Sequence, residues 1–140
     1  MRLLGLDIGD KRIGIAVSDA LGWTAQGIES YTRVNKDKDI KYIHEVIDKY
    51  DAKKLVVGLP KNMDGSLGPQ SEKVKAFCSS LYQYKNIDII YWDERLSTMS
   101  AEKMLVSGDI TRKKRRKVID KIAAVIILQN YLDMINNKGQ

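Results

Sequence analysis

Three sets of carboxylates in this 140-residue chain stand where packing alone gives little reason for an acid. Asp7 closes the aliphatic stretch Leu3-Leu4-Gly5-Leu6 and shares a strand face with Leu3 and Gly5. A lone buried carboxylate there would be costly unless it were paired, hydrogen-bonded or bound to a cation. Asp93 and Glu94 follow the apolar Ile89–Trp92 at the carboxyl end of what should be a parallel strand, the edge where open α/β sheets bind ligands. Adjacent strand residues face opposite ways, so at most one of these two acids can join Asp7. Asp120 is the only acid between Thr111 and Leu132, and helical spacing places it with Ala123, Ala124, Ile127 and Tyr131 on one apolar face. The dipole at a helix start favours a nearby acid by about 0.3–1 kcal/mol, but that does not explain one on the packed face. If the three positions converge, their oxygens suit Mg²⁺ or Mn²⁺ and leave coordination places for water and phosphate. Each acid also has a simpler role open to it: Asp7 could accept turn N–H groups, and Arg95 could neutralise Asp93 or Glu94.

The charge distribution bears on the same chemistry. Lys and Arg number 24 against 18 Asp and Glu, a formal net charge of +6. Arg112, Lys113, Lys114, Arg115, Arg116 and Lys117 form an unbroken run, and without those six residues bases and acids balance. Clustered cations gain affinity for nucleic acid by releasing its condensed counterions, although such a run can also be a solvated loop. It ends three residues before Asp120, so a carboxylate site beside it would suit the cleavage of a polyanion. Cations at a helix start oppose its dipole, which predicts a flexible flap here.

Several elements must position these residues. Leu3–Ile8 and Ile13–Ser18 read as a strand pair around the turn Asp10-Lys11-Arg12, and a third strand is expected from about Ala25 to Thr32. Ile40, Ile43, Ile47 and Tyr50 give helical spacing over Asp37–Tyr50. Leu55–Leu59 is an apolar strand stopped by Pro60, Lys61–Gln70 a long loop, and Val74, Phe77, Cys78 and Leu81 mark another helix. Ile87–Trp92 is a fifth strand, Ser97 or Thr98 can cap a short helix ended by Gly108, and a last helix runs from about Lys117 to Asn136. The order βββ-α-β-α-β-α-α describes one domain over 1–140: an antiparallel β1-β2-β3 meander, then parallel β4 and β5, flanked by helices.

Other chemistries are disfavoured. Cys78 is the only cysteine and reads as a core residue; one cysteine allows no internal disulfide or Cys-rich zinc site and fits a reducing, cytoplasmic setting. His44, the only histidine, reads as packing on the flank of its helix. No P-loop or GxGxxG pattern is present. The longest apolar run, Ile122–Leu128, has seven residues, too few for a membrane span, and no signal peptide is visible.

Gly5-Leu6-Asp7-Ile8-Gly9 with Gly14-Ile15-Ala16-Val17-Ser18-Asp19 resembles the opening hairpin of the RNase H-like and actin-like ATPase superfamilies. Together with Val57-Gly58-Leu59-Pro60-Lys61-Asn62-Met63-Asp64-Gly65, then Asp93-Glu94-Arg95-Leu96-Ser97-Thr98, then Ile119-Asp120 and Ala123–Gln129, the chain is similar to the YqgF family, also called RuvX. The resemblance implies an RNase H-like fold, a cytoplasmic location and maturation of the 5′ end of pre-16S rRNA; the small ribosomal subunit precursor is an expected partner, and a monomer or weak homodimer the expected state. It implies Asp7, Glu94 and Asp120 as catalytic, metal-binding carboxylates, with Glu94 preferred over Asp93. Two Mg²⁺ or Mn²⁺ ions would act on the substrate, leaving 5′-phosphate and 3′-hydroxyl ends. RuvC resolvases carry a second helical acid where this chain has Ala123, which leaves three ligands instead of four. Nucleic acid would be met by Lys11, Arg12, Lys61, Asn62, Arg95 and the 112–117 run. Three alternatives remain open: Holliday-junction DNA as substrate, a nucleotide phosphotransferase, and a noncatalytic nucleic-acid-binding module.

Overall fold

In the computed structural model, five strands form one sheet in the order β3-β2-β1-β4-β5. The described residues are 1–62, 64–93 and 112–137, without the side chains of 112–117. The strands are β1 (Arg2–Ile8), β2 (Arg12–Ser18), β3 (Ala25–Thr32), β4 (Ala52–Leu59) and β5 (Asp88–Asp93). Helix α1 spans Lys36–Tyr50, α2 Pro69–Tyr84 and α3 Arg112–Asn137. The first three strands pair antiparallel, whereas β4 adds parallel to β1 and β5 parallel to β4. This is the expected mixed sheet with its meander and two crossovers.

The centre of the sheet is apolar on both faces because each face is covered. Leu4, Leu6 and Ile8 of β1 and Leu55, Val57 and Leu59 of β4 pack with Ile43 and Ile47 of α1 and Val74, Phe77 and Leu81 of α2. Leu3, Ala16 and Val56 point the other way, against Ala124, Ile127, Leu128 and Leu132 of α3. Strand alternation therefore divides β1 into an α1/α2 side and an α3 side, and Asp7 falls on the side of Leu3 and Gly5.

Helix α3 lies very close to that second side. A Cβ on Gly5 would come within 2.8 Å of the Ala124 carbonyl oxygen, and one on Gly14 within 1.9 Å of the Asp120 carbonyl oxygen. Glycine is needed at both strand positions because a helix backbone occupies the space of a side chain.

Two expectations change. The cationic run is not a flap ahead of the last helix: α3 begins at Arg112, so its backbone forms the helix's opening turns. Lys and Arg are strong helix formers, and their propensity outweighs a dipole penalty confined to the first turn. The stretch after β4 is shorter and more ordered than an open loop to Gln70. Lys61 bridges Leu67, Asn62 N–H donates to the Ser66 carbonyl at 2.9 Å, and Pro69 already starts α2. The short helix expected between Ser97 and Gly108 lies outside the described residues.

Candidate functional site

Asp7 pairs with Gly14 across the β1–β2 hairpin, and Gly14 pairs with Ser30 of β3. Ser30, Gly14 and Asp7 thus form one row across three strands, all on the α3 side. Asp120 sits over this row: its backbone meets Gly14, and Ser30 Oγ donates to its Oδ2 at 3.3 Å. Arg12, two residues before Gly14 on the same face, donates from Nε to the same oxygen at 2.6 Å. Both partners of this ion pair are about three-quarters buried. Asp7 is half-buried and engaged in an interaction of its own.

The row continues into β4 and β5. Leu6 pairs with Val57, and Gly58 with Trp92, so Trp92 lies level with Asp7. Trp92 and Ile90 pack on the α3 side, with the Trp92 ring edge-on to Tyr131. Ile89 packs on the opposite side, and Tyr91 shares a pocket wall with Cys78 of α2. Asp93, the last residue of β5, continues the Ile89 and Tyr91 alternation, away from the α3 side. Glu94 and Arg95 lie outside the described residues. Of the other two sequence-predicted carboxylates, Asp7 pairs with Gly14 in the sheet and the Asp120 backbone sits over Gly14, with its carboxylate turned to Arg12 and Ser30.

The hairpin tip carrying Lys11 and Arg12 is held from the other side. Gly9 N–H donates to the Arg12 carbonyl at 2.8 Å, and Arg33 N–H to the Lys11 carbonyl at 2.9 Å. Arg33 Nη1 donates to the Gly9 carbonyl at 2.9 Å, while its Nε reaches Asp39 Oδ2 at 2.9 Å. Asp39, 1% exposed, also accepts from Tyr31 Oη and the Val34 amide. Burial opposes the Asp39 carboxylate, but hydrogen bonds from Val34, Arg33 and Tyr31 outweigh it and hold the group below the usual range. Burial and the neighbouring Asp39 push the Tyr31 phenol up to about 12.

Carboxylate oxygens are the preferred donors of hard divalent cations, and the Asp120 carboxylate here holds a cationic group, the Arg12 guanidinium. Among the described residues no three His, Cys, Asp or Glu side chains gather into a metal-binding group. Lys61 stands half-buried at the bridge to Leu67, and Asn62 caps its own tight turn, with Nδ2 donating to Ser66 Oγ at 3.1 Å. Cys78 is a core residue, as expected, and His44, expected on the flank of its helix, is buried as well. His44 Nε2 bonds the Leu81 carbonyl at 2.8 Å, and burial pushes the Cys78 thiol up to about 11.

Sequence reasoning did not find Gly14, the Arg12–Asp120 pair or the Arg33–Asp39 tie. The signal for Gly14 was available: an isolated glycine inside an aliphatic strand marks a close backbone approach. The two ion pairs join residues 108 and six positions apart and had no such mark.

Among the described residues, no helix is long and apolar enough to cross a membrane. The model of the family described as RuvX, Holliday junction resolvase, matches residues 1–134. A relative from Clostridium tetani, named "Putative pre-16S rRNA nuclease", is 55% identical over 99% of this chain and 100% of its own length. One of the same name from Halalkalibacterium halodurans is 55% identical over 95% of this chain and 96% of its own. Among solved structures, T. thermophilus RuvC in complex with a Holliday junction substrate aligns with a TM-score of 0.60 at 12% identity, covering 96% of each chain. The Fowlpox virus resolvase with its junction DNA gives 0.56 at 12% identity, over 96% of this chain and 99% of that one. Identities this low speak for the fold alone, which is RNase H-like.

Proposed function

The chain belongs to the RuvX family, and from that membership we propose that it is a metal-dependent nuclease that processes the 5′ end of pre-16S rRNA. The observation that supports the chemistry is the seating of Asp120 over Gly14, the strand partner of Asp7, in the Ser30–Gly14–Asp7 row. The substrate reading rests on relatives that share over half their residues with this chain along nearly its whole length.

Asp7, Glu94 and Asp120 would hold the Mg²⁺ or Mn²⁺ ions. Bound there, such ions activate water for attack on phosphorus and stabilise the oxygen that leaves. Glu94 is favoured over Asp93 as the third donor because Asp93 follows Ile89 and Tyr91 toward the α1/α2 side. Ser30 orients Asp120 through Oδ2, and Gly14 sets its height above the sheet. Arg12 neutralises Asp120 in the absence of substrate and, once displaced, stands beside the row where a phosphate would lie. Lys11, at the same hairpin tip, and the 112–117 run on the opening turns of α3 supply the cations that draw in a polyanion. Lys61, Asn62 and Arg95 are assigned secondary contacts with the backbone. The compartment is cytoplasmic, and the catalytic unit is a single domain working as a monomer or weak homodimer.

A second reading, cleavage of branched DNA, is favoured by the family's description. One experiment addresses both. Wild type and Asp7→Asn are incubated with Mn²⁺ and either a pre-16S leader RNA or a four-way DNA junction at matched salt, and cut positions are mapped. Cleavage of the RNA by wild type alone is expected, with an unchanged melting temperature for the variant. Cleavage by Asp7→Asn would overturn the site assignment, preference for the junction would overturn the substrate, and binding without cleavage would leave a noncatalytic module.

A further inference from the structure

A second concavity lies on the other side of the hairpin tip. It encloses about 670 Å³ at the carboxyl ends of β1 and β3, on the α1/α2 side of the sheet. Lys11, Lys36 and Lys73 stand on its wall, and Arg33 and the exposed Val34 line it. Its two acids are both engaged: Asp39 with Arg33, and Asp10 with Lys73 at 3.5 Å. Lys11 and Lys36 add to a positive balance. The N-terminal turns of α1 and α2 both contribute wall residues, and α2 begins behind Gly68 without a side-chain cap. Those turns add partial positive charge to the same space.

Arg33 gives this cleft a feature that a merely charged surface lacks. Its Nε is fixed by Asp39 and its Nη1 by the Gly9 carbonyl, and its guanidinium lies 4.9 Å from the centre of the Phe77 ring. The side chain remains 22% exposed. A guanidinium held in this way is a ready stacking plane for an unpaired base, with lysines placed to meet the adjoining phosphates. The volume is that of a small-ligand site, sufficient for a nucleotide or two but not for a duplex. The cleft and the Asp7–Asp120 row share one boundary, the Gly9–Arg12 tip, where Lys11 faces the cleft and the adjacent Arg12 holds Asp120.

We propose that this cleft binds the single-stranded segment of the RNA flanking the scissile bond, stacking a base on Arg33 and holding phosphates with Lys11, Lys36 and Lys73. The inference rests on the nuclease reading for its substrate, but it concerns a site of its own on the opposite side of the sheet.

The test compares two double variants that remove equal charge. Lys36→Gln with Lys73→Gln alters the cleft, whereas Lys53→Gln with Lys85→Gln removes two exposed lysines that do not line it. Binding of a labelled single-stranded RNA 12-mer is followed by anisotropy across a salt series without metal. The cleft double should weaken binding about fivefold to tenfold and reduce the log–log salt slope by about 1.4, while the control stays within about twofold of wild type. An oligomer with abasic sites should lose affinity for wild type, as a stacked base requires. Equal losses in both doubles, or none in either, would overturn the cleft assignment. The nuclease reading is judged separately by Mn²⁺-dependent cleavage with wild type: absence of cleavage with discrimination between the doubles intact removes that reading and leaves the binding site standing.

Discussion

The carbonyl oxygen of Asp120 lies 1.9 Å from where a Cβ on Gly14 would be. Both are backbone positions, so no side-chain rotation can relieve an added methyl group. Gly14→Ala must lift the start of α3 from the sheet or bend β2, and overpacking of this kind costs about 1–3 kcal/mol. A urea titration should show the midpoint falling by that free energy divided by the slope, with the slope preserved. Cleavage should fall further than the stability loss explains, because Asp120 leaves the Asp7 row. A midpoint equal to that of the parent would mean that α3 does not rest on this strand.

The Arg12–Asp120 pair, 2.6 Å long and largely buried, places a guanidinium where a divalent cation would compete for the same carboxylate. Charge-assisted pairs of this kind contribute about 1–2 kcal/mol, and 1.4 kcal/mol is a factor of 10 in an equilibrium constant. Arg12→Gln is therefore expected to tighten Mn²⁺ binding several-fold, measured by water proton relaxation, while weakening RNA binding. Asp120→Asn should weaken Mn²⁺ binding instead. Equal Mn²⁺ affinity in wild type and Arg12→Gln would mean that the arginine does not compete with the ion.

The contrast between these two relationships shows what a sequence makes legible. Alternation in β1 and the 3.6-residue period of α3 are local patterns, so the faces of Asp7 and Asp120 could be read before any fold was known. Ala123, Ala124, Ile127 and Tyr131 are indeed buried along with the helix face that carries Asp120. The meeting of Arg12 with Asp120 depends on which strand α3 crosses and at what height, a tertiary fact set by Gly5 and Gly14. The cationic run was misread for a related reason. Its dipole penalty is a local rule, but its helix is continuous with twenty further residues whose apolar face packs against the sheet. Asp39 escaped notice because an acid in the first turn of a helix looks ordinary, and its burial arises from Arg33 and Tyr31 folding over it.

Trp92 and Asp93, the last two residues of β5, face opposite sides of the sheet. Trp92 packs toward α3, whereas Asp93 follows Ile89 and Tyr91 toward α1 and α2. Glu94→Gln should then reduce kcat by a factor of at least about 10² while Asp93→Asn stays within about threefold of wild type, as expected when only one of them stabilises the reacting phosphate. Single-turnover cleavage of the leader RNA at saturating Mn²⁺ distinguishes them. The reverse order would transfer the third ligand to Asp93 and require β5 to twist at its end.

Acid should act on the fold through Asp39. Its carboxyl lies below the ordinary value of 3.8 because the Val34, Arg33 and Tyr31 hydrogen bonds outweigh the cost of burial. A depressed carboxyl stabilises the folded state fully above its unfolded pKa, and that contribution disappears as pH falls through the folded value. Wild type should therefore lose stability steeply below about pH 4. Asp39→Asn removes the charge at every pH and leaves Arg33 without its carboxylate, so it should cost about 2–3 kcal/mol near neutrality and flatten the acid limb. Thermal melts of both proteins between pH 3 and 7 test this, and parallel curves would show that another carboxylate controls acid unfolding. Because Arg33 also bonds the Gly9 carbonyl, the same substitution should loosen the tip that carries Lys11 and Arg12. RNA affinity should consequently fall at pH 7, where the variant remains folded.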